Sequence, residues 1–358
     1  MKKIRFAVIA AVILAAATIS IESCSQRVGK KELTATIIPF DKIASCEFDS
    51  SDLRDWELST ICFKSEESGL GRLAEIDKII ERNGKYYVLD RAQKVLFRYS
   101  SLGEPLNRIG QKGRGPKEYL TISDYSVNQA GQVVILDGQL DEIIVYDDDG
   151  TFVSRQKANH DYGELCLLDN GEILLGCNAW DESDLSGSKL ILADSSFVPH
   201  TVISSFIQGY DPNFVLPHIG FTEFNGIVSY VCPIDDHVYV TPKKGGESKV
   251  FLINFGDEKV EDDQLKNIEK SFADIRQYKS LLLNATLIDD LAFIMTVFDK
   301  GKLVDLYVDA KGKRKISLTP LGVRFLGGSG KSLFFEVTNP DKMTEPCEKM
   351  VMAISRRK

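Results

Sequence analysis

The sequence predicts an all-β fold, a six-bladed β-propeller of four-stranded antiparallel blades, and three observations lead to this prediction. Landmark residues recur at an interval of 47 residues early in the chain. Short apolar segments separated by turns that contain glycine and aspartate continue as far as residue 355. The last repeat contains only three strand-like segments, so a segment from the N-terminal part of the chain must supply the fourth.

The repeat is clearest in residues 84–119. Four of its residues return 47 positions later, so that Gly84, Asp90, Tyr99 and Gly103 correspond to Gly131, Asp137, Tyr146 and Gly150. A period of this length made only of strands is typical of propeller blades. The predicted strands of the first blade are Leu73–Ile80, Lys85–Asp90, Val95–Tyr99 and Glu104–Ile109. Both faces of the YYVLD and VVILD segments are apolar, as expected where a blade packs on each side.

Later repeats keep the same alternation of strands and turns. The third and fourth blades are predicted from Leu165–Leu168, Glu172–Gly176, Lys189–Ala193, Phe221–Phe224, Ile227–Cys232, His237–Thr241 and Lys249–Phe255. The fifth and sixth are predicted from Ala285–Ile288, Ala292–Phe298, Leu303–Val308, Lys315–Thr319, Val323–Leu326, Ser332–Val337 and Lys349–Ser355. We expect Leu58–Lys64 to complete the sixth blade and close the ring, which removes open sheet edges.

One segment, residues 261–278, has the spacing of a helix instead of a strand. Apolar residues recur three or four positions apart, at Leu265, Ile268, Phe272 and Ile275. Asp262 or Asp263 can cap the first turn. We expect an inserted amphipathic helix that packs over a blade edge; a lid over the channel is the alternative.

The first 23 residues have the pattern of a secretory signal. Lys2, Lys3 and Arg5 precede an apolar run, and Ile21–Cys24 resembles a bacterial lipobox. The pattern divides the chain into a signal peptide (1–23), a lipid-anchored tether and lead-in (24–57) and the propeller (58–358). We therefore expect an exported protein, in the periplasm or at the outer membrane, with lipid attached at Cys24. Secretion without an anchor is the alternative.

Charge and cysteine content exclude several classes of partner. The net charge is −8 for the whole chain and about −10 once the signal peptide is removed. An acidic chain without a basic stripe repels nucleic acid and anionic lipid, so we expect contact with a membrane only through the lipid anchor. The six cysteines after Cys24 are irregularly spaced. We expect them to be mostly buried free thiols, with no zinc knuckle.

A glycine-rich loop, residues 110–119, carries a family resemblance. Together with the strands before it, the loop resembles that of the six-bladed, NHL-like β-propeller lipoproteins of Bacteroidota, which have a G-x-G-x-G-P-G-E-Y type of sequence. The matching residues, which we interpret as structural, are Gly113, Gly115, Pro116, Glu118 and Tyr119. Lys117 stands where the family usually has glycine. The resemblance implies the fold and export, and it implies no reaction.

This loop can be interpreted as an anion-binding site or as a structural connection. Its N–H groups and the neighbouring Lys112, Arg114 and Lys117 could hold an anion. Alternatively, the loop only connects two blades, with Glu118 paired to Arg114 or to loop N–H groups.

Three motifs resemble catalytic or ligand-binding sequences but lack residues that such sites require. Residues 327–332 end like a phosphate loop but lack the first glycine and are followed by a strand-like segment, so we expect a hairpin. Residues 147–150 resemble part of a calcium loop but lack its first and last ligands. The four histidines are scattered, and no G-x-S-x-G elbow is present. We therefore predict no catalytic residues.

The loops between the second and third strands of all blades should lie at one end of the ring. Acidic and aromatic residues in them could bind a sugar, a peptide or a divalent cation. The candidate ligand-binding residues there and in the glycine-rich loop are Arg91, Arg114, Lys117, Asp137, Trp180, Asp181, Asp235 and His237. The alternative is that these loops are polar because they face water.

The sequence favours a non-catalytic binding or assembly module of the cell envelope that needs no cofactor and binds a glycan, a peptide or a protein. The alternative is an enzyme of the propeller lactonase or lyase type, which would hold Ca²⁺ in the channel.

Overall fold

The computed structural model describes residues 28–64, 69–209, 216, 218–232, 235–338 and 347–357. Their strands form six sheets around a central channel, each built on four antiparallel strands, which confirms the six-bladed propeller. The predicted signal peptide and Cys24 lie outside the described residues. None of the described helices is long and apolar enough to cross a membrane.

The N-terminal part of the chain contributes four strands to later blades. These strands are β1 (Gly29–Lys30), β2 (Ala35–Ile38), β3 (Ala44–Cys46) and β4 (Trp56–Lys64). Blade 1 consists of β5 (Lys78–Arg82), β6 (Lys85–Asp90), β7 (Val95–Ser100) and β8 (Pro105–Arg108). Blade 2 consists of β9 (Asp124–Val127), β10 (Val133–Asp137), β11 (Glu142–Tyr146) and β12 (Phe152–Lys157). Within each blade the first strand lies at the channel and the last at the rim.

Blades 3 to 6 follow the same order. Blade 3 contains β13 (Tyr162–Leu167), β14 (Ile173–Cys177), β15 (Ser188–Ala193) and β16 (Pro199–Ser205). Blade 4 contains β17 (Phe221–Phe224), β18 (Ile227–Tyr230), β19 (His237–Pro242) and β20 (Lys249–Ile253). Blade 5 contains β21 (Ser280–Asp289), β22 (Ala292–Asp299), β23 (Lys302–Asp309) and β24 (Arg314–Ser317). Blade 6 contains β25 (Val323–Ser329), β26 (Ser332–Val337), β27 (Cys347–Arg356) and β4.

The N-terminal strand closes the ring as predicted. β4 pairs antiparallel with β27, with Ile61 opposite Val351. A disulfide between Cys62 and Cys347 joins the same two strands, with a Cα–Cα distance of 5.3 Å. The expectation of mostly free thiols is therefore wrong for this pair, because ring closure brings together cysteines 285 residues apart. Free thiols are found at four described positions: Cys46, Cys166, Cys177 and Cys232.

Residues 29–46 form a belt around the rim, which the sequence pattern did not reveal. β1 adds in parallel to β16, β2 to β20 and β3 to β24, so blades 3, 4 and 5 each gain a fifth strand. These strands are only two to four residues long. Such short segments show no hydrophobic period of their own, and their position depends on the blade edges beside them.

Other elements also differ from the prediction: β16 forms where no strand is predicted, and β21 begins at Ser280 instead of Ala285. The first strand of blade 1 begins at Lys78, because the N–H groups of Ala74 and Glu75 donate to Asp90 instead of to a neighbouring strand. The insertion is confirmed as helical but has two parts, α1 (Asp262–Leu265) and α2 (Ile268–Tyr278). Short 3-10 helices occupy Phe40–Lys42, Ser50–Leu53, Gly256–Glu258 and Thr319–Leu321.

The core consists of apolar clusters between successive blades. One cluster joins blades 1 and 2 through residues such as Leu89, Tyr125 and Ile135, each at most 1% exposed. α2 inserts Ile268 and Ile275 into a smaller cluster with Leu281 at the start of blade 5. The blades are therefore rigidly packed wedges, which hold the ends of their inner strands in fixed positions around the channel.

Candidate functional site

The two ends of the channel differ because of the order of the strands. One end carries the turns between first and second and between third and fourth strands. The other end carries the loops between second and third strands and the connections between blades. We call these the closed end and the mouth. Arg91, in the β6–β7 loop, and Trp180, in the β14–β15 loop, lie at the mouth.

Paired charges bridge the channel at the closed end. Arg82 of blade 1 donates to Glu223 of blade 4 over 3.1 Å, and Lys243 lies 3.1 Å from the same oxygen. All three side chains are buried. Burial alone would raise the pKa of Glu223, but Lys243 and Arg82 outweigh it and lower this pKa. The remaining cavity is about 30 Å³, space for about one or two waters.

Backbone contacts complete the closure. A Cβ atom on Gly328 would lie 2.5 Å from the carbonyl oxygen of Glu223, so only glycine allows blade 6 to approach blade 4 this closely. The Asn225 N–H donates to the Gly330 carbonyl over 2.7 Å. The phosphate-loop-like residues 327–332 therefore belong to the β25–β26 hairpin, as predicted, and their glycines serve packing.

The mouth contains a cavity of about 310 Å³ with an ion pair in its wall. His218 Nε2 lies 2.8 Å from Glu164 Oε1, and His218 Nδ1 lies 2.9 Å from the Leu216 carbonyl oxygen. With Glu164 ionised, both partners can only accept hydrogen bonds, so both ring nitrogens donate, which is the imidazolium form.

The pKa shifts of the pair agree with this assignment. Burial alone would lower the pKa of His218, but the Glu164 carboxylate raises it. Burial alone would raise the pKa of Glu164, but the His218 charge and hydrogen bond lower it. The pair is therefore ionic around neutral pH.

Glycines and a bulge position Glu164. The register of β13 shifts between Tyr162 and Glu164, a bulge that redirects the side chain at the mouth. A Cβ atom on Gly220 would lie 2.1 Å from Glu164 Oε1, and one on Gly176 would lie 2.8 Å from Oε2. The carboxylate therefore fills space that any larger residue at these two positions would occupy.

Two of the predicted ligand-binding residues line this cavity. Trp180 is 48% exposed, and Arg91 is also exposed. Both belong to loops between second and third strands, as the sequence analysis placed them. An exposed indole next to a polar cavity offers a flat apolar surface beside hydrogen-bonding groups.

Two other predicted residues are buried and bonded to their own loops. Asp137 accepts hydrogen bonds from the N–H groups of Leu120, Gln139 and Leu140. Asp181 accepts from the hydroxyl of Ser183 over 2.6 Å and from its N–H group. Their carboxylates hold the mouth loops in shape and have almost no surface left for a ligand.

Asp235 and His237 form a separate cluster between blades 3 and 4. Asp235 lies 2.5 Å from His237 Nδ1 and also pairs with the buried Lys189. Burial alone would raise the pKa of Asp235, but Lys189 and His237 lower it to about 2. The Asp235 carboxylate is thus already paired with charged groups inside the protein.

Arg114 and Lys117 project from the glycine-rich loop and are exposed. Inside this loop, Glu118 accepts from the Gly115 N–H over 2.7 Å and from Gln111. A Cβ atom on Gly113 would lie 1.8 Å from the Glu118 carboxylate. Glu118 therefore occupies the place that an external anion would take. Tyr119 is buried in the cluster between blades 1 and 2.

The sequence alone does not indicate Glu164 as a site residue, and it predicts no partner for His218. They are 54 positions apart in the sequence and meet only because blades 3 and 4 are neighbours at the channel. The glycines at 163, 176 and 220 were the available signal. Among the residues that the structure describes, no group of three or more His, Cys, Asp or Glu side chains could hold a metal ion.

Two solved structures resemble this chain. A protein of Bacteroides fragilis, described as a proposed exported protein, aligns with a TM-score of 0.71 and 17% identity, over 90% of this chain and 100% of its own. A member of the DUF4221 family from Bacteroides vulgatus aligns with a TM-score of 0.51 and 10% identity, over 85% of this chain and 99% of its own. At these identities the likeness shows the fold alone.

No curated protein matches the chain. The sequence does match, over residues 67–347, the model of a family described as "Domain of unknown function (DUF4934)". That range covers the four consecutive strands of each of blades 1 to 5 and the first two strands of blade 6. The chain belongs to the DUF4934 family.

Proposed function

We propose that this protein is an exported, NHL-like propeller lipoprotein that binds a glycan at the mouth of its channel without transforming it. The observation that carries this proposal is the cavity of about 310 Å³ with the exposed Trp180 at its edge and the Glu164–His218 ion pair in its wall. Sugars combine apolar ring faces with many hydroxyl groups. An indole beside fixed donors and acceptors is complementary to both.

The hydrogen bonding of the ion pair favours binding over catalysis. Both nitrogens of His218 are engaged by Glu164 and Leu216, so the ring has no free lone pair to take a proton from a substrate. The Glu164 carboxylate has a lowered pKa and is a poor proton donor at neutral pH. The pair instead supplies a fixed polar wall.

The proposed cellular location follows from the N-terminal sequence. Lipid on Cys24 would anchor the protein in the envelope, and the belt along the rim begins within a few residues of that position. Replacement of Cys24 by alanine should release the protein from membrane fractions. Wild-type protein found only in soluble fractions would contradict the anchor.

Glycan binding can be tested by titration calorimetry of the mature protein with a panel of neutral mono- and disaccharides. Trp180→Ala should weaken binding about tenfold or more, equivalent to about 1.4 kcal/mol. Leu102→Ala is the matched control, because Leu102 is exposed at a turn of the closed end. The control should keep wild-type affinity. Absence of binding to every sugar, or equal affinity of the Trp180→Ala variant, would refute the proposal.

A further inference from the structure

A second cavity, of about 300 Å³, opens at the mouth on the other side of His218. It lies between blades 5 and 6, and its wall includes Asn284 and Asp305 of blade 5 and Val323 and Phe325 of blade 6. His218 lines this cavity as well as the cavity at Trp180. The two cavities are therefore neighbours on one face of the ring.

A row of polar side chains crosses three strands of blade 5 at this cavity. Asn284 pairs with Thr296 in the β21–β22 ladder, and Thr296 pairs with Asp305 in the β22–β23 ladder. Directly paired residues lie on the same face of a sheet, so all three face the same way. Faces between propeller blades are normally apolar, and most other buried residues on the faces of this blade are apolar.

Two members of the row are hydrogen bonded, and one is not. The Thr296 hydroxyl donates to Asp305 over 2.7 Å, and the Phe325 N–H donates to the other Asp305 oxygen over 2.8 Å. Asn284 is only 2% exposed, yet neither its amide nitrogen nor its carbonyl oxygen has a partner in the part of the chain that the structure describes. A buried amide without partners is unfavourable and requires an explanation.

The backbone around Asn284 suggests a site. The register of β21 shifts between Leu282 and Asn284, just as that of β13 shifts before Glu164. Bulges are frequent beside binding and active sites because they redirect a side chain. Both redirected side chains lie at the mouth.

The surroundings of Asn284 restrict the chemistry of a ligand. A side-chain amide with a free donor and a free acceptor is complementary to a group that offers an acceptor and a donor side by side, such as another amide. The apolar walls formed by Ile76, Val323 and Phe325 suit a methyl group. Burial raises the pKa of Asp305, and its oxygens can accept from a neutral hydroxyl group. An acetamido sugar provides all three features.

We propose that the Asn284 cavity is a second subsite of the glycan site and takes an N-acetylhexosamine unit, whose acetamido group bonds to Asn284. This inference rests on the proposed glycan binding at Trp180. A ligand of at least two sugar units would then extend from one cavity to the other past His218. A peptide is the competing ligand, because its N–H groups could also donate to Asp305, and acetylated peptides are therefore one arm of the test.

The test compares two β-1,4-linked disaccharides, chitobiose with acetamido groups and cellobiose without them, by titration calorimetry. Wild-type protein should bind chitobiose about tenfold more tightly than cellobiose. Asn284→Leu, which keeps the side-chain size, should abolish this preference while its melting temperature stays equal or rises. A variant that fails to fold would be replaced by Asn284→Asp, which keeps the shape and removes the amide donor.

Thr286→Val is the matched control. Thr286 lies on the same strand and is buried, but its hydroxyl already bonds to Thr222 over 2.7 Å. Its replacement should lower the melting temperature slightly and leave the preference for chitobiose unchanged. If Thr286→Val also loses the preference for chitobiose, the effect of Asn284→Leu is not specific to the Asn284 amide.

The outcomes separate this inference from the proposed function. If wild-type protein binds both disaccharides equally and Trp180→Ala weakens both, glycan binding stands and the Asn284 subsite is refuted. Unchanged chitobiose affinity in Asn284→Leu would likewise refute the subsite and leave only water at Asn284. If short acetylated peptides bind and displace chitobiose, the inferred ligand class is wrong. If wild-type protein binds neither disaccharide, the Asn284 subsite is refuted, and glycan binding fails as well only if no sugar of the panel binds.

Discussion

The closed end and the mouth of the channel both bury polar side chains, but they satisfy them differently. At the closed end, one carboxylate, Glu223, is shared by two cations, and the space left over is smaller than an ordinary ligand. At the mouth, the ion pair of Glu164 and His218 separates two cavities, and Asn284 has no partner among the described residues. A carboxylate shared by two cations, without space for a ligand, serves stability, whereas an amide without a partner beside open space indicates a binding site.

The largest expected loss of stability comes from removing the shared carboxylate at the closed end. Glu223→Ala leaves Arg82 and Lys243 buried without a counter-charge, and it should reduce the free energy of unfolding by about 3–5 kcal/mol. Denaturant unfolding of the purified protein measures this value. Lys85→Ala is the control, since its pair with Asp148 is partly exposed and should contribute less than about 1 kcal/mol. Similar losses in the two variants would show that the channel charges have no special structural role.

A smaller loss of stability is expected when a methyl group is added at the closed end. Gly328→Ala places a Cβ atom against the Glu223 carbonyl oxygen and should destabilise the protein by about 1–3 kcal/mol. Gly29→Ala is the control, because the nearest atom to its Cβ would be 3.6 Å away, an ordinary contact. Thermal unfolding distinguishes the two variants. A Gly328→Ala protein as stable as the control would mean that blades 4 and 6 are not in firm contact.

The smallest loss of stability is expected from changing the ion pair at the mouth, and this loss depends on pH. The raised pKa of His218 means that its contribution is complete below about pH 6.5, its unfolded pKa, and is lost as pH rises through the higher folded value. The lowered pKa of Glu164 means that its contribution is present above about pH 4.5 and is lost as pH falls through the lower folded value.

Glu164→Gln should therefore destabilise the protein most between about pH 4.5 and 6.5, by about 1–2 kcal/mol, and less above the folded pKa of His218. Melting temperatures of both proteins between pH 4 and 9 provide the measurement. A difference that is constant over this range would argue against an ionic pair.

The fold was predictable because each blade repeats one local pattern. The 47-residue spacing between Asp90 and Asp137 reflects a structural role, since both carboxylates accept backbone N–H groups at the mouth. Ring closure by β4 followed from the missing strand in blade 6. The belt was not predictable, because strands such as β1, with two residues, form only against an existing edge.

The candidate site was predictable in part. Loop position alone placed Trp180 and Arg91 at the mouth. Glu164 and Asn284 lie on inner strands, where a bulge of one residue decides which way a side chain points. The glycines near Glu164 were its only signal in the sequence, and Asn284 had no comparable signal. His218 can be recognised as a site residue only through its ion pair with Glu164, a residue of another blade.

The belt also determines how the protein responds to a mechanical load. A pull on the N-terminus would act first on β1, then on β2 and β3, each a short parallel addition to a separate blade. The next strand along the chain is β4, and there the Cys62–Cys347 bond links it covalently to β27. The belt strands would thus detach one by one, and the disulfide would keep β4 joined to β27 even after residues 56–61 had separated from it.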